Sequence, residues 1–146
     1  MKVAVGCDPN AAELKAAVID ELRTLGHEVT DLGSDDPVYA NVAITVAESV
    51  AAERHERGVV LCGTGIGVSI AANKVKGAYC ALVTDAYQAE RAAASNNANM
   101  IALGAQVTGE MLARVLVRTW MNSTYVPGGR SEPKVARITD YDLRRR

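Results

Sequence analysis

A thiol and a run of glycines stand together at Cys62-Gly63-Thr64-Gly65-Ile66-Gly67-Val68-Ser69, directly after the apolar run Val59-Val60-Leu61. Glycines accept backbone conformations closed to other residues and expose consecutive amide N–H groups. A helix read from Val68 to Lys74 would aim its unpaired N–H groups and positive dipole end at the same turn. Negative charge is stabilised in such a place. A cysteine there is favoured as the thiolate, the form that acts as base or nucleophile. Elsewhere a cysteine is often a small buried hydrophobe, and a glycine turn can be no more than a tight connection. Cys7 and Cys80 lack the glycine turn and are read as packing residues.

Three further places carry polar groups of useful type. Asp8 follows the apolar run Val3-Ala4-Val5 and could bind a hydroxyl or cap the helix that begins near Ala11. Ser95-Asn96-Asn97-Ala98-Asn99 ends a helix; its asparagines suit a turn, and they also offer the paired donors and acceptors that sugar hydroxyls need. Gly128-Gly129-Arg130 reads as a loop whose arginine, with Lys134 one helical turn on, could clamp a phosphate. Nucleotide motifs fail. The glycine spacing is GxGxG in the third strand-turn-helix unit rather than GxGxxG in the first, and no Gly-Lys-Ser/Thr follows.

The elements that must position these residues alternate along the whole chain. Strands are expected at Lys2–Gly6, Glu28–Leu32, Gly58–Cys62, Ala78–Val83 and Asn99–Leu103. Between them, Ala11, Leu14, Val18, Leu22 and Leu25 recur at helical spacing, with Gly26 placed to stop the helix. Ala43, Val46, Ala47 and Val50 mark a second helix after the turn-rich Gly33–Pro37, and Asp85 with Gln88 resembles a capping pair for a helix running to Ser95. Thr108 is expected to cap a helix carrying Val107, Met111, Leu112, Val115 and Leu116 on one face, and a last helix runs from Pro133 to about Arg145. Five strands separated by helices imply one α/β domain over residues 1–146, its parallel sheet covered on both sides. Ligands bind such sheets beyond the strands' carboxyl ends, so Asp8, Cys62, Thr84 and Gly104, each just after a strand, could share one cleft.

A chain of 146 residues can bury a core without disulfides or metal clips. A formal net charge of -1 gives no electrostatic reason to bind nucleic acid, and the Arg144-Arg145-Arg146 run reads as a solvated tail. Two histidines, His27 and His55, and three cysteines without a CxxC pair make no zinc-type set, so neither metal nor cofactor is expected. No apolar run approaches the roughly 18 to 20 residues that cross a bilayer, and Val3-Ala4-Val5 ends at once in Gly6-Cys7-Asp8, leaving no secretory apolar region. A cytoplasmic protein is expected, with no membrane partner.

Gly6-Cys7-Asp8, the segment from Cys62 to Lys74 (CGTGIGVSIAANK), Ala102-Leu103-Gly104-Ala105 and Gly128-Gly129-Arg130 resemble, in order and spacing, the ribose-5-phosphate isomerase B and galactose-6-phosphate isomerase family. The likeness spans nearly the whole chain. It implies a Rossmann-like three-layer αβα sandwich with a five-stranded parallel sheet. A C-terminal helix would reach a partner subunit in a homodimer with shared active sites, leaving open whether dimers pair into tetramers. It also implies metal-free interconversion of phosphorylated aldoses and ketoses through a cis-enediolate. By the resemblance Cys62 is the base and Thr64 stands with the turn amides around the oxyanion. Asp8, Tyr39, Gly63, Gly65, Ile66, Gly67, Ser69, Ser95 and Asn96 contact the substrate, and Arg130 and Lys134 hold phosphate, acting on the partner's site. A glutamate used by some relatives falls at Val68 here.

The departures narrow the substrate. Pro9, Ser95 and Ser131 stand where the family usually has histidines, and Gln106 where it has an arginine. The histidine at the place of Ser95 is credited with opening a furanose ring, a task serine does not readily perform at neutral pH. D-erythrose 4-phosphate cannot close that ring, because phosphate occupies the oxygen that would do so. With Tyr39-Ala40-Asn41 and Gly-Arg-Ser, the chain is most similar to the D-erythrulose 4-phosphate isomerase branch. Ribose 5-phosphate isomerisation is the nearest alternative, galactose-6-phosphate isomerisation a further one, and a non-catalytic sugar-phosphate-binding module the alternative of another class.

Overall fold

The computed structural model describes residues 1–145; Arg146, the end of the expected basic tail, lies outside the described residues. The strands are β1 (Lys2–Cys7), β2 (Glu28–Asp31), β3 (Arg57–Cys62), β4 (Cys80–Leu82) and β5 (Met100–Gly104). The helices are α1 (Ala12–Thr24), α2 (Tyr39–Ala51), α3 (Ile66–Ala72), α4 (Ala86–Ala94), α5 (Glu110–Met121) and α6 (Glu132–Arg144). The sheet order is β2-β1-β3-β5-β4 with every pair parallel. This is the expected α/β fold with its five-stranded parallel sheet.

The central strands β1, β3 and β5 are almost wholly buried, which is why they read as unbroken apolar runs. Successive side chains leave a strand on opposite faces. Val3, Val5, Cys7, Val59, Leu61, Ile101 and Leu103 therefore join the core under α1, α4 and α5, while Ala4, Val60, Cys62, Met100 and Ala102 join the core under α2 and α3. Trp120 of α5 is fully buried in the first core, and its indole N–H donates to the Ala98 carbonyl at 3.3 Å. Arg57 lies over that indole at 4.7 Å and donates to the Trp120 and Ser123 carbonyls at the end of α5. A cation there meets the negative end of the helix dipole.

Several local expectations need correction. Gly109, not Thr108, precedes α5 as its cap, and no side chain caps that end. The buried stripe of α5 is Ala113, Leu116, Val117, Trp120 and Met121; Val107, Met111, Leu112 and Val115 face outward, Met111 being 72% exposed. The helix carries two apolar stripes, and burying the large indole decides which one meets the sheet. α3 begins at Ile66, inside the glycine segment, and β4 is shorter than expected. Gly26 does terminate α1 with φ +87°. Asp85 caps α4 through the Gln88 amide at 2.9 Å, and Gln88 reaches back to the Thr84 amide at 2.8 Å.

The helix α6 is the least packed element. Ile138, Tyr141 and Leu143 are exposed, and its anchorage lies at its carboxyl end. There Asp142 accepts from the Gly77 amide at 2.7 Å and the Tyr79 hydroxyl at 3.1 Å, while Lys76 donates to the Arg145 carbonyl at 2.6 Å. Arg144, expected in a solvated tail, is exposed at the end of α6 and pairs with Asp140 at 2.9 Å, while Arg145 is partly covered and pairs with Asp142 at 2.8 Å.

Candidate active site

Strand order reverses between β1 and β3, so the crevice beyond their carboxyl ends is where an open α/β sheet places a ligand. Asp8 and Cys62 flank that crevice: the Asp8 amide donates to the Leu61 carbonyl at 3.2 Å, and Cys62 pairs in register with Gly104 of β5. The Asp8 carboxylate accepts from the Asn10 amide at 3.0 Å and caps the short 3-10 turn Pro9–Ala11. Thr84 does not join them. It follows the edge strand β4, and its hydroxyl is committed to Gln88.

The glycine turn folds back over the thiol. The Gly65 N–H donates to Cys62 Sγ at 3.1 Å, a contact that strengthens as the sulfur takes on negative charge. Gly65 sits at φ +78°, left-handed backbone that favours glycine, and this reversal brings its N–H round to the sulfur. Thr64 Oγ1 accepts from the Ile66 amide at 3.3 Å, which leaves its hydroxyl proton free to be donated. The following loop straps the turn: Ala105 N–H donates to the Cys62 carbonyl and Gln106 N–H to the Gly63 carbonyl, both at 2.8 Å. Tyr39, at the start of α2, lays its ring against Gly67, where a Cβ would stand 2.4 Å from the ring carbons. Ile66 is exposed beside the turn, whereas the Ser69 hydroxyl points back to the Cys80 carbonyl at 3.5 Å.

The three thiols are thereby distinguished. Burial pushes Cys7 up to about 11, with Lys15 acting the other way, and pushes Cys80 up to about 12. Both remain neutral packing groups near neutral pH. Neither histidine lies beside the turn: His55 is held between the Ser49 and Thr30 hydroxyls at 2.5 and 2.9 Å, and His27 meets the amino terminus at 3.3 Å. Among the described residues no group of three or more His, Cys, Asp or Glu side chains converges as metal ligands would. No helix among them is long and apolar enough to cross a membrane.

A second cluster lies elsewhere. Ser95, Asn96, Arg130 and Lys134 line one cavity of about 460 Å³ between α4, the 125–131 segment and α6. Asp8, Tyr39, Cys62 and Thr64 do not line it, so one chain presents the expected residues as two separate groups. Ser131 and Arg91 line it as well, and Arg91 was not singled out from the sequence. The only available signal was its i−4 spacing from Ser95 on one helix.

Residues 3–138 match the family model described as Ribose/Galactose Isomerase. A D-erythrulose-4-phosphate isomerase of Pectobacterium atrosepticum is 43% identical over 97% of this chain and 95% of its own length. A ribose-5-P isomerase B of Listeria innocua is 42% identical over the full length of both chains. Among solved structures, ribose-5-phosphate isomerase B of Clostridium thermocellum superposes with a TM-score of 0.91 at 38% identity, covering 98% of each chain. Sequence and backbone agree over the same span, from the thiol turn to the arm that carries Arg130 and Lys134, and on that agreement the chain belongs to the ribose/galactose isomerase family.

Proposed function

We propose that this sugar-phosphate isomerase interconverts D-erythrulose 4-phosphate and D-erythrose 4-phosphate, with Cys62 as the base. The observation that carries the chemistry is the Gly65 N–H donating to Cys62 Sγ at 3.1 Å where the strand order reverses. As thiolate, Cys62 takes the proton from the carbon beside the substrate carbonyl. The C–H electron pair becomes the new C–C double bond, and the carbonyl π pair moves to oxygen. The resulting cis-enediolate is held by the turn amides and the Thr64 hydroxyl, each such donor being worth roughly 3 to 4 kcal/mol. The Cys62 thiol then returns the proton to the former carbonyl carbon while a hydroxyl proton passes between the two oxygens. Arg130 and Lys134 bind the phosphate and keep the reacting carbons in register.

Two observations support a short, open sugar. Ser95 occupies the place where the family resemblance implies a ring-opening histidine, and its hydroxyl is held by Arg91 at 3.3 Å rather than by a group that titrates near neutrality. Two relatives of 43% and 37% identity are named D-erythrulose-4-phosphate isomerases. A second reading, ribose 5-phosphate isomerisation, is favoured by relatives of 42% and 37% identity that carry that name. The separation of the two residue groups and the exposed apolar residues of α6 support a homodimer in which one chain's cavity completes the other's thiol turn. Three free, buried cysteines suit a cytoplasmic setting.

Turnover of phosphorylated tetroses, pentoses and hexoses compared on one preparation tests the substrate. The expected result is a higher kcat/KM for D-erythrulose 4-phosphate than for ribose 5-phosphate. A clear preference for the pentose would replace the first reading by the second.

A further inference from the structure

We propose that Arg91 is a third substrate-binding cation and a specificity-determining residue, joining Arg130 and Lys134 around the phosphate of a short, acyclic sugar. The acyclic part rests on the tetrose reading above; the phosphate part does not. Arg91, Arg130 and Lys134 line the same cavity, and no carboxylate lines it. Neither Arg130 nor Lys134 has an ion-pair partner among the described residues, so their charge is uncompensated until an anion arrives.

Arg91 itself is incompletely used. Its Nη1 donates to Ser95 Oγ at 3.3 Å and its Nη2 pairs with the neighbouring Glu90. Its Nε is buried without a hydrogen-bond partner. An arginine presents Nε–H and Nη2–H along one edge, the edge that meets two oxygens of a phosphate side by side. Glu90 occupies half of that edge and is itself nearly half exposed, so a phosphate can take over the contact and satisfy the idle Nε–H in the same step.

The pairing with Ser95 adds selectivity. Because Ser95 Oγ accepts from Arg91, its own proton is free for a substrate oxygen. A guanidinium has no acceptor and does not deprotonate in proteins. The pair can therefore hold a carbonyl or hydroxyl oxygen, but it cannot take the proton that ring opening requires.

The test uses full-length Arg91→Ala, Arg91→Gln and Arg91→Lys, with inorganic phosphate as the titrated probe and D-erythrose 4-phosphate as substrate. Removing the cation should weaken phosphate binding about tenfold or more, the worth of a charge-assisted hydrogen bond, and raise KM by a similar factor. The value of kcat should change much less, the melting temperature should hold, and Arg91→Lys should recover part of the loss. Unchanged phosphate affinity and KM in the alanine and glutamine variants would overturn the proposal. Arg91→Gln keeps an uncharged polar side chain of the same initial path on the helix, so it decides the question if the alanine variant folds poorly. Should the wild type turn over only ribose 5-phosphate, the tetrose reading and the acyclic selectivity fall together, while the phosphate titration still decides the cationic role.

Discussion

Around the thiol turn nearly every group is held from more than one side: Gly65 against the sulfur, the Ala105 and Gln106 amides on its carbonyls, Tyr39 across Gly67. Around the cationic cavity the restraint is lighter, since Arg130 and Lys134 project from a loop and from a helix whose contacts with β4 and its approach lie near its far end. Proton transfer tolerates little displacement of the base, and the first group is built into the ends of buried strands. Phosphate is a large, symmetric charge that several poses of a long side chain can reach. On the function proposed above, stiffness is placed where bonds are made and broken, and looseness where a handle is gripped.

Exchanging Cys62 for Ala tests the stiff half most severely. Removal of a general base typically costs 10²- to 10⁴-fold, so isomerisation should fall by about that factor or more, with circular dichroism and the melting temperature nearly unchanged. Near-normal turnover would remove Cys62 from the mechanism and dissolve the contrast. Arg130→Ala addresses the loose half: KM should rise about tenfold or more through loss of a charge-assisted contact, with a smaller change in kcat. A fall in kcat as large as that of Cys62→Ala would show that the grip also sets the chemistry.

The smallest effect concerns how α6 is tethered. Burial acts to raise the Asp142 carboxyl, but the Gly77 N–H and the Tyr79 hydroxyl, together with the charges of Arg145 and Lys76, outweigh it and hold the carboxyl below the usual carboxylate range. A value lower in the folded than in the unfolded chain gives stability that is complete above the unfolded value, about 3.9, and is lost as pH falls through the folded one. Hydrogen exchange followed from about pH 5 downward should show α6 losing protection before β3. Asp142→Asn should remove that dependence. Equal loss in both elements would mean that the tether is not local.

Both faces of the sheet were legible from β1, β3 and β5, because strands buried on two sides leave uninterrupted apolar runs. The glycine turn after β3 was legible as well from residue types and spacing, while the role of its thiol came from the family resemblance. Three things were not. The inward face of α5 could not be chosen between two apolar stripes until Trp120 had a place to go. The Ser69 hydroxyl could be counted with the turn in sequence, yet helical geometry aims it at the Cys80 carbonyl. Arg91 lies on an alanine-rich helix with no motif around it, and only the approach of the 125–131 segment shows what it faces.

The alternation of side chains along β3 decides which of its residues the turn can reach. A slip of β3 by one residue would bring Leu61 to the turn and bury the thiol under α1 and α5, where Cys7 already lies inert. Parity thus separates Cys62 from Cys7, whereas Cys80 shares the face of Cys62 and is set apart by its burial on the edge strand β4. A thiol in place of Leu61 would face the core under α1 and α5, however favourable the glycines beside it.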